Sequence, residues 1–281
     1  MVDLHQHTTF SDGTDSVANL IKKNKENGIN FMSITDHDNI ESTKEANKIA
    51  KELGVEYITG VEFSTDYNGE SIHILCYNFD GDDKVVKSLI EQGINLRHKR
   101  IAFRLDNLKK EFGIKIDNNI VEQINNAPNP NKPMIANILK ALGYGNNISE
   151  IIKKYLYHKM PDFKLKTIEV VEKLKQSTGV SVYAHPLGGV GEKRVDRTEF
   201  EARLKNFVDA GLEGLECYYS LYSKKEQDYL VAMAKKYNLI ISGGSDYHGT
   251  NKDVKIGELS NFGKYPQVKD LTILNNCSKL S

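Results

Sequence analysis

Short apolar runs alternate with amphipathic segments along most of this 281-residue chain. The apolar runs predict buried strands at 2–5, 31–35, 57–59, 72–77, 181–184, 214–217 and 239–242. The segments between them predict helices at 17–28, 40–53, 83–112, 167–178, 198–210 and 223–237. Because strand, helix and strand follow one another, we expect parallel pairing. About seven such units favour a closed α/β barrel over an open doubly wound sheet, and no GxGxxG motif follows the first strand.

The alternation is interrupted in the middle of the chain. Helices predicted at 132–142 and 148–157 follow each other without a convincing strand, and a stretch rich in Asn and Pro precedes them. We therefore predict a barrel formed by 1–96 and 164–281, with an inserted helical subdomain at 97–163. We expect this insertion to cover the barrel mouth and limit what enters.

Histidines and carboxylates collect where the predicted strands end. Six of the eight histidines lie at a strand C-terminus or in the loop after it: His5, His7, His37, His73, His185 and His248. Three acids occupy equivalent places: Asp12, Glu62 and Asp246. Any one of them alone fits a core histidine or a turn aspartate. Their occurrence together at the end where α/β barrels build active sites predicts a metal centre.

The number of donors indicates more than one ion. A catalytic zinc-type centre uses about three protein ligands, so nine donors suit two or three divalent cations. Imidazole with carboxylate and no thiolate suits Mn²⁺, Fe²⁺ or Zn²⁺. Three such ions against three acids leave a site of about +3, which favours a dianionic phosphoryl group.

Charge and composition exclude several classes of protein. Lys plus Arg and Asp plus Glu both number 38, so the formal charge of zero argues against binding of long duplex nucleic acid. No apolar run approaches the roughly 18 residues of a membrane span, and we find no N-terminal signal sequence. Cys76, Cys217 and Cys277 are an odd set without CxxC spacing, which favours reduced thiols. We expect a cytoplasmic protein with no membrane partner.

Four groups of motifs resemble those of the PHP (polymerase and histidinol phosphatase) superfamily of metal-dependent phosphoesterases. They are His5-Gln6-His7 with Ser11-Asp12-Gly13, Thr35-Asp36-His37-Asp38, Gly60-Val61-Glu62 with His73, and Ala184-His185-Pro186 with Gly244-Ser245-Asp246-Tyr247-His248-Gly249. The resemblance implies a distorted (β/α)7 TIM-like barrel with a trinuclear centre. It assigns one ion to His5, His7, Glu62 and Asp246, a second to Glu62, His73 and His185, and a third to Asp12, His37 and His248.

The expected reaction is hydrolysis of a phosphate ester by hydroxide formed from a water between the ions. His185 and His248 are the two candidates for the general acid, and Asp246 completes the predicted catalytic set. Asp36 and Asp38 are expected to orient His37 or a neighbour. The insertion resembles that of the stand-alone bacterial branch, which acts on nucleoside phosphates, 3′,5′-nucleoside bisphosphates and short RNA ends. The branch commonly has a Pro-His pair where this chain has Pro133-Met134.

Basic and aromatic side chains provide candidate substrate contacts. Arg97, Arg100 and Arg104 recur on one helix face and fit either a phosphate clamp or a solvated surface. A second candidate clamp is Lys193, Arg194 and Arg197. Rings for base stacking or for core packing are Tyr218, Tyr219 and Tyr222.

The predicted substrate is a small phosphorylated molecule, a nucleotide hydrolysed as a phosphomonoester. The alternatives within this class are short oligonucleotides, a cyclic phosphodiester, and histidinol phosphate or another small metabolite. An amidohydrolase-type C–N hydrolase is a rival of another class, although it calls for a bridging lysine where this chain has Glu62. A non-catalytic metal-binding module is the third reading, and the oligomeric state stays open.

Overall fold

The computed structural model describes residues 1–127, 130–157, 161, 163–190 and 192–277. The chain forms two compact units, one built from 1–90 with 166–281 and the other from 91–165. Of the three predicted thiols, Cys76 and Cys217 are buried and free, whereas the side chain of Cys277 lies outside the described part. None of the described helices combines the length and apolar character needed to cross a membrane.

The first unit is built on a nearly closed, barrel-shaped sheet. Its strands are β1 (Val2–Asp3), β2 (Phe31–Ile34), β3 (Glu56–Tyr67) and β4 (Glu70–Tyr77), then a short β5 (Leu165–Lys166), β6 (Val180–Tyr183), β7 (Gly214–Tyr219) and β8 (Ile240–Gly244). Seven of them form the order β1-β2-β3-β4-β6-β7-β8. The backbone N–H of Leu4 donates to the Gly243 carbonyl at 3.2 Å, and Gln6 pairs with Tyr247. These bonds bring β8 back to β1, which confirms the predicted α/β barrel class.

One strand runs against the others. Strands β3 and β4 form a hairpin, and β4 is antiparallel to β3 and to β6. The turn places Asn68 at φ 53° and Gly69 at φ 86°, the left-handed pair that a two-residue type I′ hairpin requires. The predicted parallel pairing is therefore wrong for this strand, because Asn-Gly reverses the chain without a helical crossover. The reversed strand is what distorts the barrel.

The described helices are α1 (Val17–Glu26), α2 (Ser42–Leu53), α3 (Lys84–Phe112), α4 (Asn118–Asn125), α5 (Lys132–Ala141), α6 (Ile148–Ile151), α7 (Thr167–Leu174), α8 (Arg197–Ala210), α9 (Lys224–Lys236) and α10 (Leu274–Cys277). Helix α1 begins after Ser16, whose side chain accepts a hydrogen bond from the Asn19 N–H. Its buried stripe includes Leu20 and Ile21, which pack in one cluster with Met32 of β2. Such packing fixes where each strand ends and so where its terminal side chains lie.

The second unit has its own apolar core. The part of α3 beyond residue 90, together with α4, α5 and α6, surrounds a buried cluster that includes Ile101, Leu108, Ile135, Leu139 and Leu156. A π-helical turn, Ile152–Leu156, follows α6. Helix α4 was not among the predicted elements, because its eight residues carry too few apolar positions to stand out.

Candidate metal centre

The predicted histidines and acids converge at one end of the barrel. His5 follows β1, His37 follows β2, His185 follows β6, and Asp246 with His248 follows β8. His73 and Glu62 differ from the prediction, because His73 lies in the first half of β4 and Glu62 in the middle of the long strand β3 rather than at a strand C-terminus. Glu62 nevertheless lies in the cluster, because β3 continues past it into the hairpin with β4. His73 still reaches the cluster, since the reversed β4 begins at the edge where its neighbours end.

Glu62 lies at the centre of the cluster and is fully buried. Its Oε1 atom lies 3.0 Å from His73 Nδ1 and 3.2 Å from His185 Nε2. Its Oε2 atom lies within 3.2 Å of ring nitrogens of three other histidines: His5, His7 and His37. The two oxygens of one carboxylate thus face two separate groups of imidazoles, as expected of a carboxylate that bridges two cations.

The remaining donors form a third group around Asp12. Asp12 Oδ1 lies 3.1 Å from His248 Nε2 and 3.7 Å from His7 Nδ1, and Asp12 Oδ2 lies 3.9 Å from His37 Nε2. Four sets of side chains each bring one ligand atom per residue within 4.8 Å of one another. They are His7, Asp12, His37 and His248; His5, His7, Glu62 and Asp246; His37, Glu62 and His73; and His73, His185 and Glu192.

The chemistry of these donors fits divalent cations. Five buried atoms in the cluster lie close to one another but form no hydrogen bond of suitable geometry with the described residues: His5 Nε2, His7 Nε2, Asp12 Oδ1, Glu62 Oε2 and His248 Nε2. Buried polar atoms are rarely left unpaired unless they bind water or an ion. Burial would raise the pKa of Glu62, but the imidazoles around it hold that pKa well below its ordinary value, so the carboxylate stays ionised. Burial lowers the pKa of His37 to about 3, which keeps this ring neutral and able to ligate.

Two acids that were not predicted hold the histidine rings: Glu216 is fully buried and Glu192 is half-buried. Glu192 Oε2 lies 3.0 Å from His185 Nδ1, so His185 presents its Nε2 to Glu62. Glu216 Oε1 lies 3.0 Å from His5 Nδ1, and Glu216 Oε2 accepts a hydrogen bond of 2.7 Å from the His185 backbone N–H. Carboxylates that fix the tautomer and direction of ligating histidines are typical of metal sites.

The two carboxylate oxygens of Asp246 have different surroundings: Oδ1 lies 3.6 Å from His5 Nε2 and 3.5 Å from His7 Nε2, and Oδ2 accepts two hydrogen bonds. Lys252 Nζ and the Tyr219 hydroxyl donate to Asp246 Oδ2 at 2.6 and 2.8 Å. Its backbone φ of 61°, like the 26° of His185, lies in the region that non-glycine residues rarely adopt. Strain at two predicted ligands marks this end of the barrel as a functional site.

The structure also gives the surroundings of the predicted tyrosines and of the two supporting aspartates. Tyr219 and Tyr222 are fully buried and cannot stack on a base, and Tyr218 packs against the barrel core. Asp36 accepts hydrogen bonds from Thr8 and Ser11, and the Ser11 hydroxyl lies 3.3 Å from His7 Nδ1, so Asp36 supports the neighbouring ligand His7. Asp38 accepts from the Ser64 N–H.

The second predicted clamp has other partners. Arg194 contacts Glu226 and the Gly188 carbonyl, and the guanidinium of Arg197 lies 4.3 Å from the ring centre of Tyr229. Lys193 Nζ lies 3.8 Å from a Glu199 carboxylate oxygen. The structure therefore does not bring Lys193, Arg194 and Arg197 together as one phosphate site.

The first predicted phosphate clamp, Arg97, Arg100 and Arg104, lies in the second unit, and Lys132 lies near two of its arginines. Arg104 is 9% exposed, and its Nε has no hydrogen-bond partner among the described residues. Burial lowers the pKa of Arg104 to about 10. Burial and the nearby charges of Arg104 and Arg100 lower the pKa of Lys132. These cations lie close enough to repel one another, as they do in sites that hold an anion. Arg97 lies on the same helix, one turn earlier than Arg100.

The barrel and its cluster of imidazoles and carboxylates define a metal-dependent hydrolase. The model of the PHP domain family matches residues 3–163, and the chain belongs to this family. It is 31% identical to the 5′-3′ exoribonuclease of Haemophilus influenzae over 252 residues, which are 88% of this chain and 89% of that protein. It is 25% identical to the phosphoribosyl 1,2-cyclic phosphate 1,2-diphosphodiesterase of Eggerthella lenta over 279 residues, 95% of this chain and 97% of that protein.

A solved structure agrees with these relatives. The structure of a predicted metal-dependent phosphoesterase from Bifidobacterium adolescentis matches with a TM-score of 0.75 and 26% identity, and the match covers 92% of this chain and 91% of that chain. The protein is therefore an enzyme that hydrolyses phosphate esters in a metal-dependent reaction. The predicted membership in the PHP superfamily is confirmed.

Proposed function

We propose that this enzyme hydrolyses phosphate esters of nucleotides, including 3′,5′-nucleoside bisphosphates and short oligonucleotide ends, with three divalent cations. The observation that carries the proposal is the position of Glu62, whose two oxygens face two groups of imidazoles while Asp12 gathers a third. Relatives named as an exoribonuclease and as a cyclic phosphodiesterase support a phosphate ester of a ribose or ribonucleotide.

The three ion positions are those that the family resemblance implies, and the distances around Glu62 and Asp12 support them. One would be held by His5, His7, Glu62 and Asp246, a second by Glu62, His73 and His185, and a third by Asp12, His37 and His248. Bound divalent cations of the Mn²⁺, Fe²⁺ or Zn²⁺ type acidify water and neutralise charge on phosphoryl oxygens. Glu192, at the edge of the second group, would leave three cations with a formal charge of about +2. That charge still favours a phosphate group.

Two of the predicted catalytic residues are better placed as ligands than as proton donors. His248 Nδ1 donates to the Asp246 carbonyl at 2.9 Å, and its Nε2 faces Asp12. His185 directs Nδ1 to Glu192 and Nε2 to Glu62. Each ring thus has one nitrogen fixed by an acceptor and one nitrogen in the cluster. Asp246 keeps its role through Oδ1, while Lys252 balances the charge on Oδ2.

The second unit would supply a separate phosphate contact. Arg100, Arg104 and Lys132 form a cationic group with an unpaired buried Nε on Arg104, and we assign them, with Arg97, to a second phosphate or a neighbouring nucleotide. The arrangement suits nucleotides that carry more than one phosphate. Coverage of the barrel mouth by 97–163 stays a prediction.

A substrate panel tests the proposal. We expect kcat/KM to be highest for a 3′,5′-nucleoside bisphosphate or a short 5′-phosphorylated oligoribonucleotide, lower for a 5′-mononucleotide, and lowest for histidinol phosphate. A Glu62→Gln variant purified in parallel reports contaminating phosphatase activity. A clear preference for histidinol phosphate or for a cyclic phosphodiester would contradict the nucleotide assignment. Turnover of an amide or lactone panel would contradict the phosphoesterase reaction itself.

A further inference from the structure

A cavity of about 400 Å³ lies within the first unit, beside the metal-ligand cluster. His73 and His185 form part of its wall, so one end of the cavity is shared with the second group of donors. The volume falls within the roughly 300–1,000 Å³ of small-molecule sites. The site described so far accounts for the phosphate of a substrate but leaves this cavity without a role.

The walls of the cavity are apolar along much of their length. Ile72 is 4% exposed and Tyr183 is 2% exposed, and both line the cavity from the strand side. Pro186 and Val195, from the segment that follows β6, line it from the loop side. An apolar slot beside a polar reaction centre is a suitable environment for the flat faces of a base or a sugar.

The cavity extends away from the metal ligands along β4. Glu70 lies three residues before His73 on this strand, a distance of about 10 Å at the usual rise per residue. Arg203 of α8 lines the same end and contacts Glu70. The cavity therefore has a metal-ligand end at His73 and a distal end at Glu70.

The distal end does not carry a surplus of positive charge. The Arg203 guanidinium contacts the carboxylates of both Glu70 and Glu199, which satisfy its charge. Lys193 Nζ lies 3.8 Å from Glu199 as well. The two cations, Arg203 and Lys193, are thus balanced by the two acids, Glu70 and Glu199, so this end is unsuitable for a second phosphate. A neutral group with N–H or O–H donors would instead find an acceptor in the half-exposed Glu70.

We propose that this cavity binds the base and sugar of the substrate, with the ester phosphate at the end formed by His73 and His185. In the reaction a water oxygen forms a bond to phosphorus and the ester P–O bond breaks. A proton from the water passes to the leaving sugar oxygen, which becomes a hydroxyl group of the product. The inference rests on the proposed nucleotide phosphoesterase activity and adds the location of the leaving group.

Filling the cavity tests this assignment. Val195→Trp places a large ring in the cavity, and Val268→Trp makes the same change at an exposed valine outside it. We expect kcat/KM of Val195→Trp for adenosine 5′-monophosphate to fall about tenfold or more, the cost of a steric clash of 1.4 kcal/mol or above. Its kcat/KM for glycerol phosphate, whose alcohol is too small to occupy the cavity, should change less than about twofold. The control should match the wild type on both substrates.

The possible outcomes distinguish failure of the cavity assignment from failure of the proposed phosphoesterase activity. A wild-type enzyme that hydrolyses neither adenosine 5′-monophosphate nor adenosine 3′,5′-bisphosphate overturns the proposed function, and a wild type active only on the bisphosphate is tested with that substrate in place of the monophosphate. A wild-type enzyme active on either nucleotide, with Val195→Trp unchanged or impaired equally on the nucleotide and on glycerol phosphate, overturns only the cavity assignment. If Val195→Trp fails to fold, Val195→Phe gives a smaller change of the same kind. As a measurement without mutation, adenosine should inhibit glycerol phosphate hydrolysis competitively in the wild type, and absence of inhibition contradicts the proposal.

Discussion

Glu216 lies 3.0 Å from His5 through its Oε1 and the ring Nδ1, and both side chains are fully buried. The second oxygen of Glu216 accepts a hydrogen bond from the backbone N–H of His185. One carboxylate on β7 therefore holds a ring from the loop after β1 and the backbone after β6. The pair ties together two of the proposed ion positions.

Loss of this carboxylate should weaken metal binding. Both partners of Glu216, the His5 ring and the His185 backbone N–H, need an acceptor. Glu216→Gln keeps the shape of the side chain but replaces one of its oxygens with an NH₂ group, which is a donor. One of the two partners therefore loses its hydrogen bond. We expect the affinity for Mn²⁺ or Zn²⁺ to fall about 10- to 100-fold in a chelator competition titration. Glu213→Gln is the matched control, because Glu213 binds the Ser181 N–H at the start of β6, away from the cluster. Equal affinities of the two variants would show that Glu216 does not position a ligand.

A ligand change should affect activity far more than folding. His7→Ala removes a side chain whose Nε2 lies 3.1 Å from Glu62 Oε2 and whose ring packs against the imidazoles of His37 and His248. We expect phosphate release to fall about 100-fold or more because one ion position loses a donor. Its free energy of unfolding, measured with urea in the metal-free protein, should change by less than about 1 kcal/mol. Leu75→Ala in the barrel core should instead cost about 2–5 kcal/mol. A comparable stability loss in His7→Ala would make the site structural.

Asp83 should give the protein an acid-sensitive component of stability. Burial would raise the pKa of Asp83, but hydrogen bonds from the N–H groups of Val86 and Thr178 and from the hydroxyls of Ser177 and Thr178 lower it. The stabilisation is complete above the unfolded pKa of about 4 and is lost as the pH falls through the lower folded value.

The substitution that tests this is Asp83→Asn. We expect the free energy of unfolding to decrease by about 1–2 kcal/mol at pH 6, because an amide faces the donors that the carboxylate accepted. The difference from the wild type should shrink below about pH 4. Asp82→Asn changes the exposed neighbour, whose pKa is also lowered by a pair with Lys87, but solvent screens that pair, so the pH dependence of unfolding should change much less. A gap between Asp83→Asn and wild type that widens at low pH would contradict the assignment.

The basic group of the second unit should act on substrate binding. We expect Arg100→Gln and Arg104→Gln to raise KM for a 3′,5′-nucleoside bisphosphate about tenfold, because each removes a charged partner of phosphate. Lys109→Gln, on an exposed position of the same helix, is the control. An unchanged KM in both arginine variants would show that Arg100 and Arg104 do not bind the phosphate.

The sequence allows prediction of the nine central donors because strand ends in a barrel meet at one edge. His5, His37 and His185 each follow a strand whose apolar run is clear without the structure. His73 reaches the cluster for a different reason, since the Asn68-Gly69 turn reverses β4. That dipeptide is a known hairpin signal, so the reversal was open to prediction.

Glu192, Glu216 and Lys252 depend on tertiary neighbours. Glu216 had one local signal, a carboxylate inside the otherwise apolar strand Gly214–Tyr219. Glu192 lies in a glycine-rich loop and Lys252 after a short 3₁₀ turn, where charged residues are ordinary. Their roles appear only when β6, β7 and β8 lie side by side. The partners of Arg194 and Arg197 are likewise set by helix packing, which spacing along the chain does not encode.

The number of metal ions per chain tests the central claim most directly. We expect elemental analysis of protein grown with sufficient metal to give two to three divalent ions per wild-type chain. Glu62→Gln replaces the anionic oxygens that face five imidazoles, so it should lose at least one ion and most of the hydrolytic activity. Fewer than one ion per wild-type chain, or a Glu62→Gln variant with an unchanged metal content, would contradict the account.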